Sequence, residues 1–514
     1  MRNAVGREIP ERIGDRVLRP FEGAFATTNR GVKAARPQKT APHDEDKLLP
    51  SLDAAIEACG LSDGMTISFH HMFRDGDRVV NQVLDACAKR GIKGLRLFPS
   101  ALFPVHQPVI DHIRSGVVNR IEGSMNGPIG AFVSQGGQLA EPAVLRSHGG
   151  RWRAVEAGDV EIDVAFIAAS QADEYGNANG VYGPTPCGTV SFCAVDAQYA
   201  KKTVVVTNDV APYPVHPMEI QQGWTDYVVE VEEIGDPNSI VSGTLQLTKS
   251  PTRLRIARLT ADAVVASPYF IDGFSFQGGA GGISLAVTKY LGDALEKAGI
   301  VGSFGMGGAT KLLVELLHRG LIRTILDGQA FDLDAIDSLR EDDAHVLIDP
   351  GLYANYDSRG CATYKLDTAF LGATEVDLNF NVNVNTHSDG QLLHGIGGHQ
   401  EVAAGAAMTM ITAPTLRGRI PVIVDRVTTV TTPGEVVDVI VTERGLAVNP
   451  RRDDLKERFL AAGLPVRPLE DIKAEAEQMV RPIGQPVFGD EVVGIIEWRD
   501  GTVIDVVRKV EGWT

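Results

Sequence analysis

The sequence predicts an α/β protein made of two tandem open sheets whose strands run mostly parallel. Three observations carry this. Short apolar strand-like runs alternate with helix-periodic segments along most of the 514 residues. Two stretches repeat that pattern nearly in step: Phe69 to the Gly-Ile at 91–92 matches Phe276 to the Gly-Ile at 299–300 within one residue. Each then continues with a helix, a glycine-marked turn and a strand, IRSGVVNRIEG around Gly116 and LHRGLIRTILDG around Gly320. A chain this long exceeds one ordinary core, so a duplication is inferred, two halves built alike. Convergent βαβ patterning is the competing explanation of the match.

The elements follow in order. Residues 1–45 are charged, contain proline and lack sustained periodicity, which reads as an N-terminal arm. The first α/β domain is placed at 46–248, beginning with a helix-like run from Leu48 to Ala58. A strand from Met65 to Phe69 enters a turn at His70–Asp77, a helix spans Val79–Lys89 and stops at Gly91, and a strand follows at Leu95–Phe98. Buried strands are predicted at 160–170 and 202–209, with the turn DEYGNANG (173–180) between them and an edge strand at 227–237. TKSPTRLR breaks the pattern and opens the second domain, 249–514. Its elements are a helix from Leu254, the glycine-rich stretch from Phe274 to Thr310, an alternating strand at 376–384, and a glycine turn GIGGHQ (395–400) before a small-residue helix. Buried strands at Ile420–Val424 and in VVDVIVTE come next, then helices at Asp454–Ala462 and Leu469–Val480 and a closing hairpin that turns at Asp500–Gly501.

The stretch FSFQGGAGGISLAVTKYLGDALEKAGIVGSFGMGGAT organises the second half. Gly278, Gly279, Gly281 and Gly282 precede a helix, Gly299 stops it, and Gly305, Gly307 and Gly308 form what reads as a second glycine turn. Backbone N–H groups converging at a helix start hold an anion, or the oxygen of a carbonyl under attack. A tight strand-to-helix turn without chemistry explains the same residues equally well. Ser284 replaces the third glycine of a dinucleotide fingerprint, and no Gly-Lys-Ser/Thr follows, so nucleotide motifs are excluded.

Composition narrows the function. A net charge of −17 argues against nucleic acid, though not against a small anion held by local N–H groups and arginines. Five scattered cysteines without a CxxC pair suit a reducing cytoplasm. The charged N-terminus is no signal peptide, and no apolar run is long enough to span a bilayer. His387, His394 and His399 with Asp389 fit no zinc spacing, and no metal is expected.

Taken together, NAVGREIPE, SFHHMFRDGD, SHGGR (147–151), DEYGNANG, SFQGGAGGISLAVT, FNVNVNTHSDG, GIGGHQ, RGRIPVIVD and VTERGLAVNP resemble one family over nearly the whole length. It is the citrate lyase alpha subunit, an acetyl-acyl-carrier-protein:citrate transferase. The second half is also similar to acetate and hydroxybutyrate coenzyme A transferases. The resemblance implies two tandem open α/β domains of the coenzyme A transferase type. It also implies exchange of a thioester carrier from acetate to citrate, with no permanently bound cofactor. The carrier would be coenzyme A or the coenzyme-A-like arm of an acyl-carrier γ subunit, and a β subunit would cleave the citryl thioester, all within a cytoplasmic hetero-oligomer.

Many related transferases carry a glutamate nucleophile after the second strand. The matching run here, Ser303 to Thr310, has no carboxylate, and the glutamate position falls at Gly307. A substrate carboxylate must then attack the thioester itself. The site expected on this basis has three parts. Gly279, Gly281, Gly307 and Gly308 supply catalytic N–H donors. Gln277, Gly278, Gly282, Gly397 and Gly398 hold the thioester. His70, His71, Arg74, Asn383, Arg417 and Arg419 bind the carboxylates, arginine being preferred for its planar fork. One of the paired histidines is expected at the ligand and the other buried by alternation. An acyl-thioester hydrolase, an inactive scaffold subunit and a citramalate-type substrate remain open at this point.

Overall fold

A computed structural model describes residues 1–14, 16–26, 46–241, 246–279, 281–358, 360–481 and 484–513. The predicted arm residues 27–45 lie outside the described residues.

Two parallel sheets dominate. Read from one edge, the first runs Val118–Ile121, Leu95–Pro99, Thr66–Phe69, Val164–Ala168, Lys202–Thr207, Tyr227–Glu230 and the short Leu48–Leu49, all parallel. The second runs His345–Leu347, Ile322–Ala330, Gly302–Ala309, Ser275–Gly278, Thr368–Gly372, Met408–Thr412 and Val439–Thr442, with Gly445–Val448 folding back antiparallel at the far edge. Six strands occur in the same spatial and sequential order in both sheets. The two-halves expectation therefore holds at the level of topology, including the helices Val79–Lys89 and Gly282–Ala298 that link equivalent strands.

The duplication extends to side chains. Asp163, immediately before Val164–Ala168, accepts the Thr66 N–H at 2.8 Å. Asp367, before Thr368–Gly372, accepts the Ser275 N–H at 2.8 Å. Asp226 does the same for Thr203 at 2.8 Å and Asp438 for Thr409 at 2.8 Å. Each carboxylate clips the start of the neighbouring strand, where a backbone donor would otherwise be buried without a partner.

Several predicted elements differ. Leu48–Leu49 is a strand, and the helix is only Leu52–Ala58, capped by Ser51. The strand Tyr227–Glu230 is not the sheet edge, because Leu48–Leu49 pairs outside it. The alternating run 376–384 is broken: Glu375–Asp377 and Val382–Asn383 pair antiparallel around a turn where Phe380 takes φ 62°. Asp377 Oδ1 accepts the N–H groups of Asn379 and Asn381 there, so local side-chain bonding overrides strand alternation. The second glycine cluster is no turn. It lies inside Gly302–Ala309, with a register shift between Gly307 and Gly308.

The C-terminal hairpin, Pro486–Glu497 with Val503–Trp513, adds its first strand parallel to Ala143–Leu145 of the first half. N-terminal residues wrap the same hairpin. Asn3 Nδ2 donates to the carbonyls of Val503 and Ile504, Phe21 N–H donates to Val503, and Arg7 pairs with Asp505 at 2.9 Å. No helix among the described residues is long and apolar enough to cross a membrane.

Candidate active site

The two sheets face a shared cavity of about 1170 Å³. Its first wall is the turn after Thr66–Phe69. Strand alternation sends the two histidines of SFHHMFRDGD in different directions. His70 points inward, where its Nε2 lies 3.3 Å from Asp196 Oδ2, and Arg151 holds the same carboxylate through both nitrogens at 2.8 and 2.7 Å. His71 turns to the cavity. Its ring is nonetheless fully engaged: Nδ1 meets Ser100 Oγ, and Nε2 lies 3.1 Å from Gln329 Oε1. Gln329 Nε2 donates back to the His71 carbonyl at 3.2 Å, which fixes the amide orientation. His71 Nε2 therefore carries the proton, and Nδ1 accepts from Ser100.

Arg74 follows at φ 52°, a left-handed backbone that a bulky residue rarely adopts. The conformation sends its guanidinium between two aromatic faces, 5.3 Å from the Phe103 centroid and 4.9 Å from that of Phe331. Burial pushes its pKa down to about 10, opposed by Asp75. A cation held in so desolvated a place is poised for an anionic partner.

The second wall comes from the glycine-rich stretch. Strand Ser275–Gly278 delivers Gln277 and Gly278, then Gly281 caps the helix Gly282–Ala298 in extended conformation. The N–H groups of Gly279 and Gly281 are committed, to the carbonyls of Phe370 at 2.9 Å and Gly279 at 3.0 Å. The donors that a helix leaves over at its start are those of Gly282, Ile283 and Ser284, and all three residues line the cavity. Across the sheet, Gly307 takes φ 105°, and a Cβ there would stand 2.6 Å from Gln277 Nε2. A Cβ at Gly308 would fall 1.9 Å from the Phe331 ring, so this glycine allows Phe331 to reach Arg74. Gln277 Nε2 in turn donates to the Tyr353 hydroxyl at 2.8 Å.

The third wall is the GIGGHQ turn, which brings Gly397 and Gly398 to the cavity. The Gly397 carbonyl accepts the His148 N–H at 2.9 Å, joining the halves at the start of the helix His148–Glu156. Behind it, Glu401 accepts the Gly150 N–H at 3.1 Å, and burial pushes its carboxyl up to about 7. Arg417 reaches the rim with Arg253 and Lys249, its Nη2 donating to the Ala373 carbonyl at 2.7 Å.

Of the residues proposed from sequence, the cavity thus gathers His71, Arg74, Arg417, Gln277, Gly278, Gly279, Gly281, Gly282, Gly307, Gly308, Gly397 and Gly398. His70, Asn383 and Arg419 are not among its lining residues. Asn383 is buried because Glu375, Thr386 and Thr429 consume its amide, and Arg419 sits exposed in a short two-stranded turn. His148, Phe192, Asn126, Gln329 and Tyr353 line the cavity without having been singled out. His148 was visible inside SHGGR, where serine before a helix start is a capping signal. The others carry no local sequence signal. Both ring nitrogens of His399 are engaged by protein, with Thr432 Oγ1 and the Gly372 carbonyl, and no group of three or more His, Cys, Asp or Glu side chains placed to hold a metal ion occurs among the described residues. Among the described residues the cavity lining holds no aspartate or glutamate.

Comparison with known proteins gives this geometry a family. Residues 45–510 match the family model described as "Citrate lyase, alpha subunit (CitF)". The citrate lyase alpha chain of Klebsiella pneumoniae is 44% identical over 490 residues, covering 94% of this chain and 96% of its own. That of Escherichia coli (strain K12) is 46% identical over 467 residues, covering 90% and 91%. A solved structure of a citrate lyase alpha subunit in complex with citrate, from Streptococcus mutans, superposes with a TM-score of 0.95 at 45% identity, covering 99% of this chain and 100% of that one. A 4-hydroxybutyrate CoA-transferase from Porphyromonas gingivalis shares the fold at a TM-score of 0.55 and 18% identity, covering 84% and 97%. By a family match across most of its length and by relatives at 44 to 46% identity, the chain belongs to the citrate lyase alpha subunit family.

Proposed function

We propose that this chain, the citrate CoA-transferase component of a hetero-oligomeric citrate lyase, exchanges acetyl for citryl on a thioester carrier without a covalent bond to the enzyme. The observation that carries this reading is the cavity lining: cations and unspent N–H donors, with no carboxylate among the described residues. A side chain at Gly307, where related transferases place a glutamate, would collide with Gln277. The attacking carboxylate is therefore the substrate's own.

The chemistry follows from that lining. Citrate enters with one carboxylate against Arg74, whose desolvated charge gains a bidentate partner. A citrate carboxylate oxygen bonds to the acetyl carbon of the thioester, and the carbonyl π pair moves onto oxygen. The helix start at Gly282, Ile283 and Ser284 faces the same cavity and stabilises such an oxyanion. Collapse expels the thiolate and leaves a citryl–acetyl anhydride. The thiolate then attacks the citryl carbonyl, and acetate departs carrying the bridging oxygen. No external proton is consumed. Both steps rely on proximity in one enclosed volume. The thioester is that of coenzyme A or of a coenzyme-A-like arm on an acyl-carrier γ subunit. Arg253, Lys249 and Arg417 at the rim suit its phosphates. A β subunit then takes the citryl thioester onward.

A single-turnover experiment with excess enzyme, acetyl-CoA and citrate labelled with ¹⁸O in its carboxylates tests the route. Direct attack puts one ¹⁸O into acetate in the first turnover, alongside citryl-CoA. Unlabelled acetate with label left in the protein would establish a covalent enzyme carboxylate instead. Acetate with free coenzyme A and no citryl-CoA would make the chain a hydrolase.

A further inference from the structure

His71 is the histidine that the strand ending presents to the cavity, yet both its ring nitrogens are spent on Ser100 and Gln329. A second imidazole lies on it. The His148 ring stacks on His71 with centroids 5.5 Å apart and planes 15° from parallel, and the edge of Phe192 closes on both, at 5.0 Å from His148 and 5.1 Å from His71. His148 lines the cavity, and its ring makes no hydrogen bond to protein among the described residues. Its backbone is fixed from two sides, by the Gly397 carbonyl and by the Ser147 cap of its helix. Its Nε2 lies toward the Gly397 turn, 3.8 Å from where a Cβ on that glycine would sit.

We propose that His148 is a catalytic residue of the transfer, donating a ring N–H to the oxyanion that forms when citrate attacks the thioester, while His71 acts as a positioning residue that holds the ring by stacking. The proposal rests on the transferase reading above and adds a side-chain donor to it. No proton changes hands. The imidazole remains neutral through the step, and the oxyanion it stabilises collapses with loss of thiolate.

The surroundings keep that ring neutral. Burial first, then Arg151 on its own helix and Arg74 from the first-half turn, oppose a positive charge, so its pKa falls to about 4. Glu401, from the helix His399–Gly405, is spent on the Gly150 N–H and pushed up by burial to about 7, so it is only partly ionised near neutrality. A neutral imidazole donates without the competing option of giving up its proton to the substrate carboxylate.

The test is steady-state formation of citryl-CoA from acetyl-CoA and citrate by the full chain, for wild type, His148→Phe and His148→Gln, with circular dichroism of each. His148→Phe keeps the stack and removes the donor. Its kcat is expected to fall about 100- to 1000-fold, with the citrate KM within threefold of wild type. His148→Gln retains an N–H and should recover at least tenfold over the phenylalanine variant. Wild-type kcat should stay flat between pH 7.5 and 5.5. Three results would overturn the proposal: a kcat for His148→Phe within threefold of wild type, a loss confined to citrate KM, or a wild-type kcat that halves near pH 6.5 through His148. Should the phenylalanine variant not fold, the glutamine variant and the pH profile still decide. Absence of citryl-CoA from the wild type itself would instead refute the transferase reading.

Discussion

Replacing Arg74 by glycine and by alanine separates what its backbone costs from what its charge does. At φ 52° a non-glycine residue carries strain of about 1 kcal/mol or somewhat more. Both variants lose the same stacking between Phe103 and Phe331, so Arg74→Gly should be more stable than Arg74→Ala by that strain. The charge is the larger matter. A guanidinium pushed from 12.5 to about 10 stores about 3 kcal/mol of desolvation in the unliganded site. At neutral pH it stays protonated, and an arriving carboxylate offsets part of that cost. Two charge-assisted hydrogen bonds at about 1.5 kcal/mol each give a similar figure, a factor of about 100 or more in citrate affinity. Citrate at a concentration 100 times its wild-type Kd should stabilise the wild-type chain by about 2.7 kcal/mol, and Arg74→Gly by well under 1 kcal/mol. Urea denaturation with and without citrate reads both effects, and calorimetric titration reads Kd directly. Citrate binding within threefold of wild type in Arg74→Gly would refute the assignment of Arg74 to substrate. An alanine variant as stable as the glycine variant would refute the strain.

Other outcomes follow from the same geometry. Gly308→Ala puts a methyl into the Phe331 ring, so it should lose about 1–3 kcal/mol of stability and raise the citrate KM by displacing the ring from Arg74, measured by urea denaturation and initial rates. Glu401 is raised from 4.5 to about 7 by burial, so the folded state prefers it protonated, and stability is lost as pH rises from 4.5 through 7, by a few kcal/mol at most; Glu401→Gln should flatten that part of the pH–stability curve. His148 and His399 are depressed to about 4, so each contributes stability that is lost as pH falls from 6.5 toward 4, seen as acid destabilisation in wild type that is reduced in His399→Gln. Asp163→Ala and Asp367→Ala each strand a backbone N–H at equivalent places in the two sheets and should cost about 1–3 kcal/mol apiece, nearly additively in the double variant.

The aspartate clips show why the fold was legible and the site only partly so. IDVAF at 162–166 and LDTAF at 366–370 are near copies, as are TDYVV at 225–229 and VDVIV at 437–441, because each segment solves the same local problem of starting a buried parallel strand. Problems of that kind are local, and local pattern records them; the helix after Gly281 and its stop at Gly299 were readable for the same reason. The site poses problems between segments far apart in the chain. Gly307 and Gly308 read as a turn, since glycine marks turns in sequence, but here glycine answers crowding by Gln277 and Phe331 in a strand. His70 and His71 differ by alternation, which sequence did register, yet the spending of His71 on Gln329 joins residues 258 positions apart. Nothing near either residue records that bond. The same holds for His148, whose neighbours His71, Phe192 and Gly397 come from three separate segments. A motif such as SHGGR marks the start of a helix, and only the packing of one half on the other decides that the histidine within it faces the cavity.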